Sequence, residues 1–267
     1  MKIMSIKVFI ILMLITLILT GISFADIPQT ALVGAWLFDE GNGQIAKDTT
    51  GKSGNGTLMN GTKWVDGKSG KAIYFDGKEG YVEISLPEIF NNIPKNNFTI
   101  AYWINVHDIS GSGTIWTRIV EARYDSTNYL QFVIQINNGE LGINIMSDSA
   151  ESTVIVSPII VADKWYHVAG VWDASKKSIK LYLDGVQQAG VGTTPASPGD
   201  KKTLNIGRRS DGNADTYFDG TIDDFAILNV ALTEEDIKNL MDNGLIFYAA
   251  VSSLDKLATA WSILKSN

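Results

Sequence analysis

Apolar and polar positions alternate most clearly between Lys164 and Val186. Trp165, His167, Ala169 and Val171 fall on one face and Tyr166, Val168, Gly170 and Trp172 on the other, the period of two that a β-strand imposes. Asp173 to Lys177 reads as a polar turn. Ile179, Leu181 and Leu183 then form one face of a second strand, with Lys180, Tyr182 and Asp184 on the other. Asp184-Gly185 closes the unit as a tight turn. The same habit continues from Val33 onward, in short alternating segments divided by Gly, Asn and Asp clusters. Leu130, Phe132, Ile134 and Ile136, for example, alternate with Tyr129, Gln131, Val133 and Gln135 between Thr127 and Asn137. Such spacing predicts an all-β sandwich rather than alternating strand and helix.

Helical periodicity is confined to the C-terminal part. Thr233 with Asp236 three residues on reads as an N-cap, Leu232 is placed to staple onto Ile237, and Ile237, Leu240 and Met241 form an apolar stripe. Gly244 stands where a left-handed C-cap belongs, so a helix is predicted over Thr233 to Asn243. The tail, 244–267, carries a second amphipathic pattern through Leu254, Leu257, Ala258, Trp261 and Leu264. Gly192 to Lys202 is too polar and too broken for a strand and is expected to be a loop.

Several of these segments carry a family resemblance. The run from Trp165 to Ala169, followed by Ile179 to Val186, resembles the laminin G-like jelly-roll family, relatives of the concanavalin A-like lectins and glucanases. Gly34 to Gly41 is similar to that family's opening strand and acidic loop, and Lys71 to Gly77 with Tyr81 to Ile84 to its next hairpin. Phe98 to Ile104 resembles the long core strand, and Leu204 to Gly207 with Phe218 to Phe225 the closing strands. The resemblance spans roughly residues 31–243 in family order. It implies a two-sheet antiparallel jelly-roll sandwich with a short C-terminal helix. A fold does not by itself supply an activity.

Residues 1–25 stand apart from this pattern. Lys2 and Lys7 precede an apolar run from Val8 to Leu19, and Ser23-Phe24-Ala25 is a small-x-small cleavage site, so a secretory signal peptide is expected; the alternative, an uncleaved membrane anchor, has an apolar core short for a bilayer span. Residues 26–30 then read as a linker. Without the leader the chain has 20 basic residues against 29 acidic ones, near −9. That balance argues against nucleic acid and anionic membranes as partners. The sequence has no cysteine, so neither lipid attachment nor a disulfide framework is expected.

Catalytic patterns are missing where the resemblance would place them. The Glu-x-Asp-x-x-Glu spacing of the related glucanases does not occur, nor do sialidase Asp boxes, and His107 and His167 alone make no zinc constellation. His167 lies within a strand and is expected to be a core residue rather than a base. The acids carry more information. In Thr221 to Ile227, strict alternation places Asp223 with Phe225 and Ile227, and Asp224 with Ile222 and Ala226. Asp39, Glu40 and Asp48 lie in a Gly/Asn-rich loop near the first strand, and first and last strands are often neighbours. A structural calcium site from Glu40, Asp48 and Asp223, with Asp39, is therefore one expectation. The other is that these acids cap turns and accept backbone hydrogen bonds.

Tyr124, Tyr129 and Tyr182 are expected on solvent faces, where they would stack on sugars or pack cross-strand neighbours. Trp116 fits neither role decisively. The expected function is an exported, non-enzymatic binding or adhesion module for carbohydrate or another extracellular macromolecule. The alternatives are a glycan hydrolase or lyase with unfamiliar acids, and a surface module that docks through its tail helix.

Overall fold

The computed structural model describes residues 27–85, 97–110, 117–123, 131–147, 150–156, 160–188, 192–193, 203–209 and 216–245. The expected leader, the tail beyond residue 245, Trp116, Tyr124 and Tyr129 lie outside these residues. Among the described residues seventeen strands follow one another. The first six are β1 (Leu32–Trp36), β2 (Ile45–Ala46), β3 (Gly56–Met59), β4 (Lys63–Asp66), β5 (Lys71–Asp76) and β6 (Tyr81–Ser85). Next come β7 (Phe98–Val106), β8 (Thr117–Arg123), β9 (Gln131–Asn137), β10 (Glu140–Ser147), β11 (Ala150–Val156) and β12 (Trp165–Asp173). The series closes with β13 (Ser178–Leu183), β14 (Val186–Gln187), β15 (Gly192–Thr193), β16 (Thr203–Ile206) and β17 (Asp219–Leu228). Among the described residues one α-helix, α1, spans 234–245, and a single 3-10 turn, Gln29–Ala31, precedes β1.

The strands build two antiparallel sheets, the all-β sandwich expected of a jelly roll. A nine-stranded sheet runs β14-β13-β12-β7-β17-β5-β4, with β1 also on β17 and β15 also on β13. An eight-stranded sheet runs β11-β10-β9-β8-β16-β6-β3-β2. Alternation sends one face of each sheet inward. Tyr102 and Ile104 of β7, Val168 of β12 and Phe225 of β17 meet Ile84 of β6, Ile134 of β9 and Ile206 of β16 in one core. Gly192–Thr193, expected to be loop, pairs instead with Ser178 and Ile179 for two residues.

The outer face of the nine-stranded sheet is covered by α1. Ala101, Ala169, Val171 and Ala226 are small or β-branched there, which lets Ile237 and Leu240 of the helix settle close to the backbone. The predicted capping box forms: Asp236 N donates to Thr233 Oγ1 at 3.2 Å, and Thr233 N donates to Asp236 Oδ2 at 2.9 Å. The helix runs two residues past the expected Asn243, with Gly244 at φ 72°.

Strict alternation fails at Asp223-Asp224. β17 pairs with β7 throughout, but the register slips between Asp223 and Ala226. Its other neighbour changes at the same place, from β5 beside residues 219–222 to β1 beside residues 225–228. The extra residue forms a β-bulge, with Asp224 at φ 49°. Asp223 therefore lies opposite Trp103 on the outer face, Ile222 and Phe225 both face the core, and Asp224 joins Trp103 and His167 around a small outer cavity. Both aspartates belong to the outer face, not to opposite faces.

Candidate functional site

The face of the eight-stranded sheet that points away from the core is unusually polar. On β16, Leu204 and Ile206 enter the core, so Asn205 faces the other way. The same reasoning turns Glu83 outward between Val82 and Ile84, and Gln135 between Ile134 and Ile136. On β8 the register slips between Arg118 and Val120, so Ile119 and Val120 both reach the core and Arg118 and Glu121 both point out. Register then aligns them. Asn205 lies directly across from Glu83 on one side and Glu121 on the other. Arg118 lies across from Gln135. Asn144 of β10 extends the band, opposite Val133, which is itself opposite Glu121.

These side chains are withdrawn from solvent although they avoid the core. Glu121 is 0% exposed, Asn205 2%, Asn144 4% and Gln135 5%. Burial of such groups is tolerated only with partners. Arg118 Nε lies 3.5 Å from Glu121 Oε2. Arg208 Nε donates to Asn205 Oδ1 at 3.3 Å, and its Nη2 lies 3.7 Å from Glu83 Oε2. The Arg208 guanidinium also sits 3.4 Å from the centre of the Tyr81 ring. Gly207 aims that arginine. Its amide donates to Ile119 O and its carbonyl accepts from Phe218 N, both at 2.8 Å, with φ at 92°. An added Cβ would run into the Phe75 ring.

The result is a band of carboxylate, carboxamide and guanidinium groups, bordered by an arginine-capped tyrosine. Such groups can donate to and accept from several hydroxyls at once. None of these residues stood out in the sequence. Each looks like an ordinary outward strand position, and their convergence arises from the placement of β16 between β6 and β8. The only local signal is a carboxylate or carboxamide flanked by apolar residues, as in Leu204-Asn205-Ile206 and Val120-Glu121-Ala122.

The four acids expected to share calcium do not converge. Asp48 accepts at Oδ1 from Ala35 N at 2.9 Å and Thr50 N at 3.0 Å, and at Oδ2 from Ser53 N at 2.7 Å. Glu40 Oε1 accepts from Lys47 N at 2.9 Å within its own loop. Asp39 and Asp223 both bond to the turn between β4 and β5. Asp39 Oδ1 accepts from Lys71 N at 2.8 Å and Asp223 Oδ2 from Ser69 N at 3.0 Å. Added Cβ atoms at Gly70 and Gly67 would collide with these two carboxylates. Among the described residues no group of three or more His, Asp or Glu is arranged to hold a metal ion. Backbone amides instead donate to at least one oxygen of each of the four carboxylates, the turn-capping role that was the other expectation.

Burial marks the titratable groups of the outer face. It pushes Asp223 up to about 7, with Asp224 adding repulsion and the Ser69 amide opposing the shift. Burial, reinforced by Asp39, pushes Asp224 up to about 6. His167 is 3% exposed, and burial lowers it to about 4. It packs edge-on against Trp103 at 5.2 Å and lines a cavity of about 10 Å³, room for one water. The histidine is buried as expected, but on the outer face beside α1 rather than in the core between the sheets, and among the described residues its Nδ1 has no hydrogen-bond partner. Tyr182 was expected on a solvent face but is only 3% exposed, because its ring joins the cluster beneath α1.

Residues 76–238, more than half of the chain, match the concanavalin A-like lectin/glucanases superfamily. The chain belongs to this superfamily. Among solved structures, domain 4 of AbnA, a GH43 extracellular arabinanase from Geobacillus stearothermophilus in complex with arabinotriose, is similar at 23% identity. That match covers 79% of this chain and 98% of the arabinanase domain, with a TM-score of 0.61. The binding domain of botulinum neurotoxin DC, in complex with rat synaptotagmin II, is similar at 15% identity over 81% of this chain, with a TM-score of 0.65. The binding domain of Paraclostridial Mosquitocidal Protein 1 is similar at 18% identity over 79% of this chain, with a TM-score of 0.64. The chain spans about half, 52%, of each toxin binding domain. No curated protein matches it. At these identities the solved structures share the fold, and no helix among the described residues is long and apolar enough to cross a membrane.

Proposed function

We propose that this superfamily member is an exported, non-catalytic module that binds glycan on the polar face of the eight-stranded sheet. The observation that carries the reading is the row Glu83, Asn205 and Glu121, three hydrogen-bonding side chains aligned across β6, β16 and β8 on the face away from the core. Glu83 and Arg208 keep side-chain surface open to a polyhydroxylated ligand, while the buried Asn205 holds Arg208 in place from beneath, so little side-chain entropy is lost on binding. The arabinotriose bound to the arabinanase domain supports this ligand class. Export is supported by the leader pattern of residues 1–25 and by the extracellular source of that domain.

Catalysis is the competing reading, because Glu83 and Glu121 are two carboxylates roughly 10 Å apart at the backbone, two strand spacings. An arginine stands beside each of these carboxylates, Arg208 near Glu83 and Arg118 near Glu121, so each presents donors and acceptors side by side, as recognition of a polyhydroxylated ligand requires. A glycan array that includes arabino-oligosaccharides, run with a reducing-sugar assay on the same ligands, is the test. Binding without sugar release is expected. Release of reducing ends by the wild type, abolished in Glu121→Gln, would replace the binding reading with a hydrolytic one.

A further inference from the structure

The outer face of the nine-stranded sheet carries a separate cavity beside α1. Ile179 and Leu181 enter the core from β13, so Ser178, Lys180 and Tyr182 face outward. Asp173 of β12 lies across from Ser178, and Val171 across from Lys180. The segment entering the helix, including Leu232 and Glu234, closes the other side around a volume of about 250 Å³.

We infer that this cavity binds a single neutral sugar ring, at a site distinct from the polar face of the other sheet. Ser178 supplies the first argument. The residue is 7% exposed, and among the described residues its Oγ has no hydrogen-bond partner. A buried hydroxyl left in that state is costly, and a ligand hydroxyl in the cavity would satisfy it. The second argument is charge. Lys176 pairs with Asp173 at 2.7 Å, and Glu234 pairs with Lys238 at 2.6 Å while also feeling Lys180. An anion would meet Asp173 and Glu234, and a cation would meet Lys176 and Lys180. A neutral polyol can instead use both kinds of group, as donors and acceptors. The third is shape: Val171, Leu232 and the Tyr182 ring give an apolar surface, and Gln187, 3.5 Å from the Tyr182 hydroxyl, adds a carboxamide at the rim.

Saturation-transfer NMR on the full chain with D-glucose, D-galactose and L-arabinose at millimolar concentration tests the site. At least one sugar is expected to receive saturation from the wild type. Ser178→Leu, which fills the cavity, and Lys180→Ala, which leaves the strand and its core contacts in place, should each weaken that binding about tenfold or more. No transfer to any of the three sugars, or transfer that Lys180→Ala leaves unchanged, would overturn the inference. The polar-face reading is scored separately, by oligosaccharide binding and its loss in Asn205→Ala.

Discussion

Single carboxylates show how the same residue type serves different physical ends in this protein. Asp48 is a structural acceptor, with three backbone amides on one carboxylate. Asp48→Ala should therefore destabilise the fold by about 3 kcal/mol, equally with calcium or with chelator. Urea denaturation under both conditions checks this, and a loss seen only with calcium present would restore the ion. Asp223 and Asp224 are the opposite case, because burial resists their ionisation. Their folded-state values, about 7 and about 6, lie above the ordinary 3.8. The stability linked to them is full at low pH and is lost as pH rises through those values. His167 has the reverse sign. Its value of about 4 lies below the ordinary 6.5, so its contribution is lost as pH falls between the two. Above about pH 6.5 the aspartates act unopposed. The melting temperature should rise as pH falls from about 8 to about 6.5, on the order of 1 kcal/mol of stability per unit. Asp223→Asn should flatten that rise, and a wild-type melting temperature that drops over the same interval contradicts the assignment.

Elements were legible from sequence wherever one short-range rule dominated. The hairpin of β12 and β13 follows from period-two alternation, and α1 from its capping box and apolar stripe, because both signals are local. The polar band was not legible. It depends on β16 pairing with β6 and β8, strands eighty or more residues away in sequence, and on the bulge that breaks alternation at Ile119; a second bulge, at Asp224, does the same in the other sheet. A bulge inserts one residue and reverses every facing inferred beyond it, which is why the sequence pattern misplaced Asp224 and Phe225. The turn after β16 links element to site, since Gly207 sets the direction of Arg208. Gly207→Ala should cost about 2–3 kcal/mol, through positive φ and crowding against Phe75. It should also weaken glycan binding beyond what lost stability explains. Binding measured well below the melting temperature checks this, and unchanged affinity there would remove Arg208 from the site.

At the scale of the whole molecule the two sheets have different outer faces, and the difference organises the account. The nine-stranded sheet buries small apolar residues under α1, while the eight-stranded sheet turns Glu83, Asn205, Glu121, Gln135 and Asn144 away from the core. The family resemblance made the sandwich legible, but it could not say which face carries a ligand, since fold and site are separable. Amide chemical-shift mapping during titration with the arabino-oligosaccharide that binds most tightly on the array decides the matter. The largest shifts should fall on β6, β8, β9, β10 and β16, around Asn205, and Asn205→Ala should weaken the affinity about tenfold or more. Shifts confined to β12, β13 and α1, with Asn205→Ala binding as well as the wild type, would contradict the assignment of the polar face.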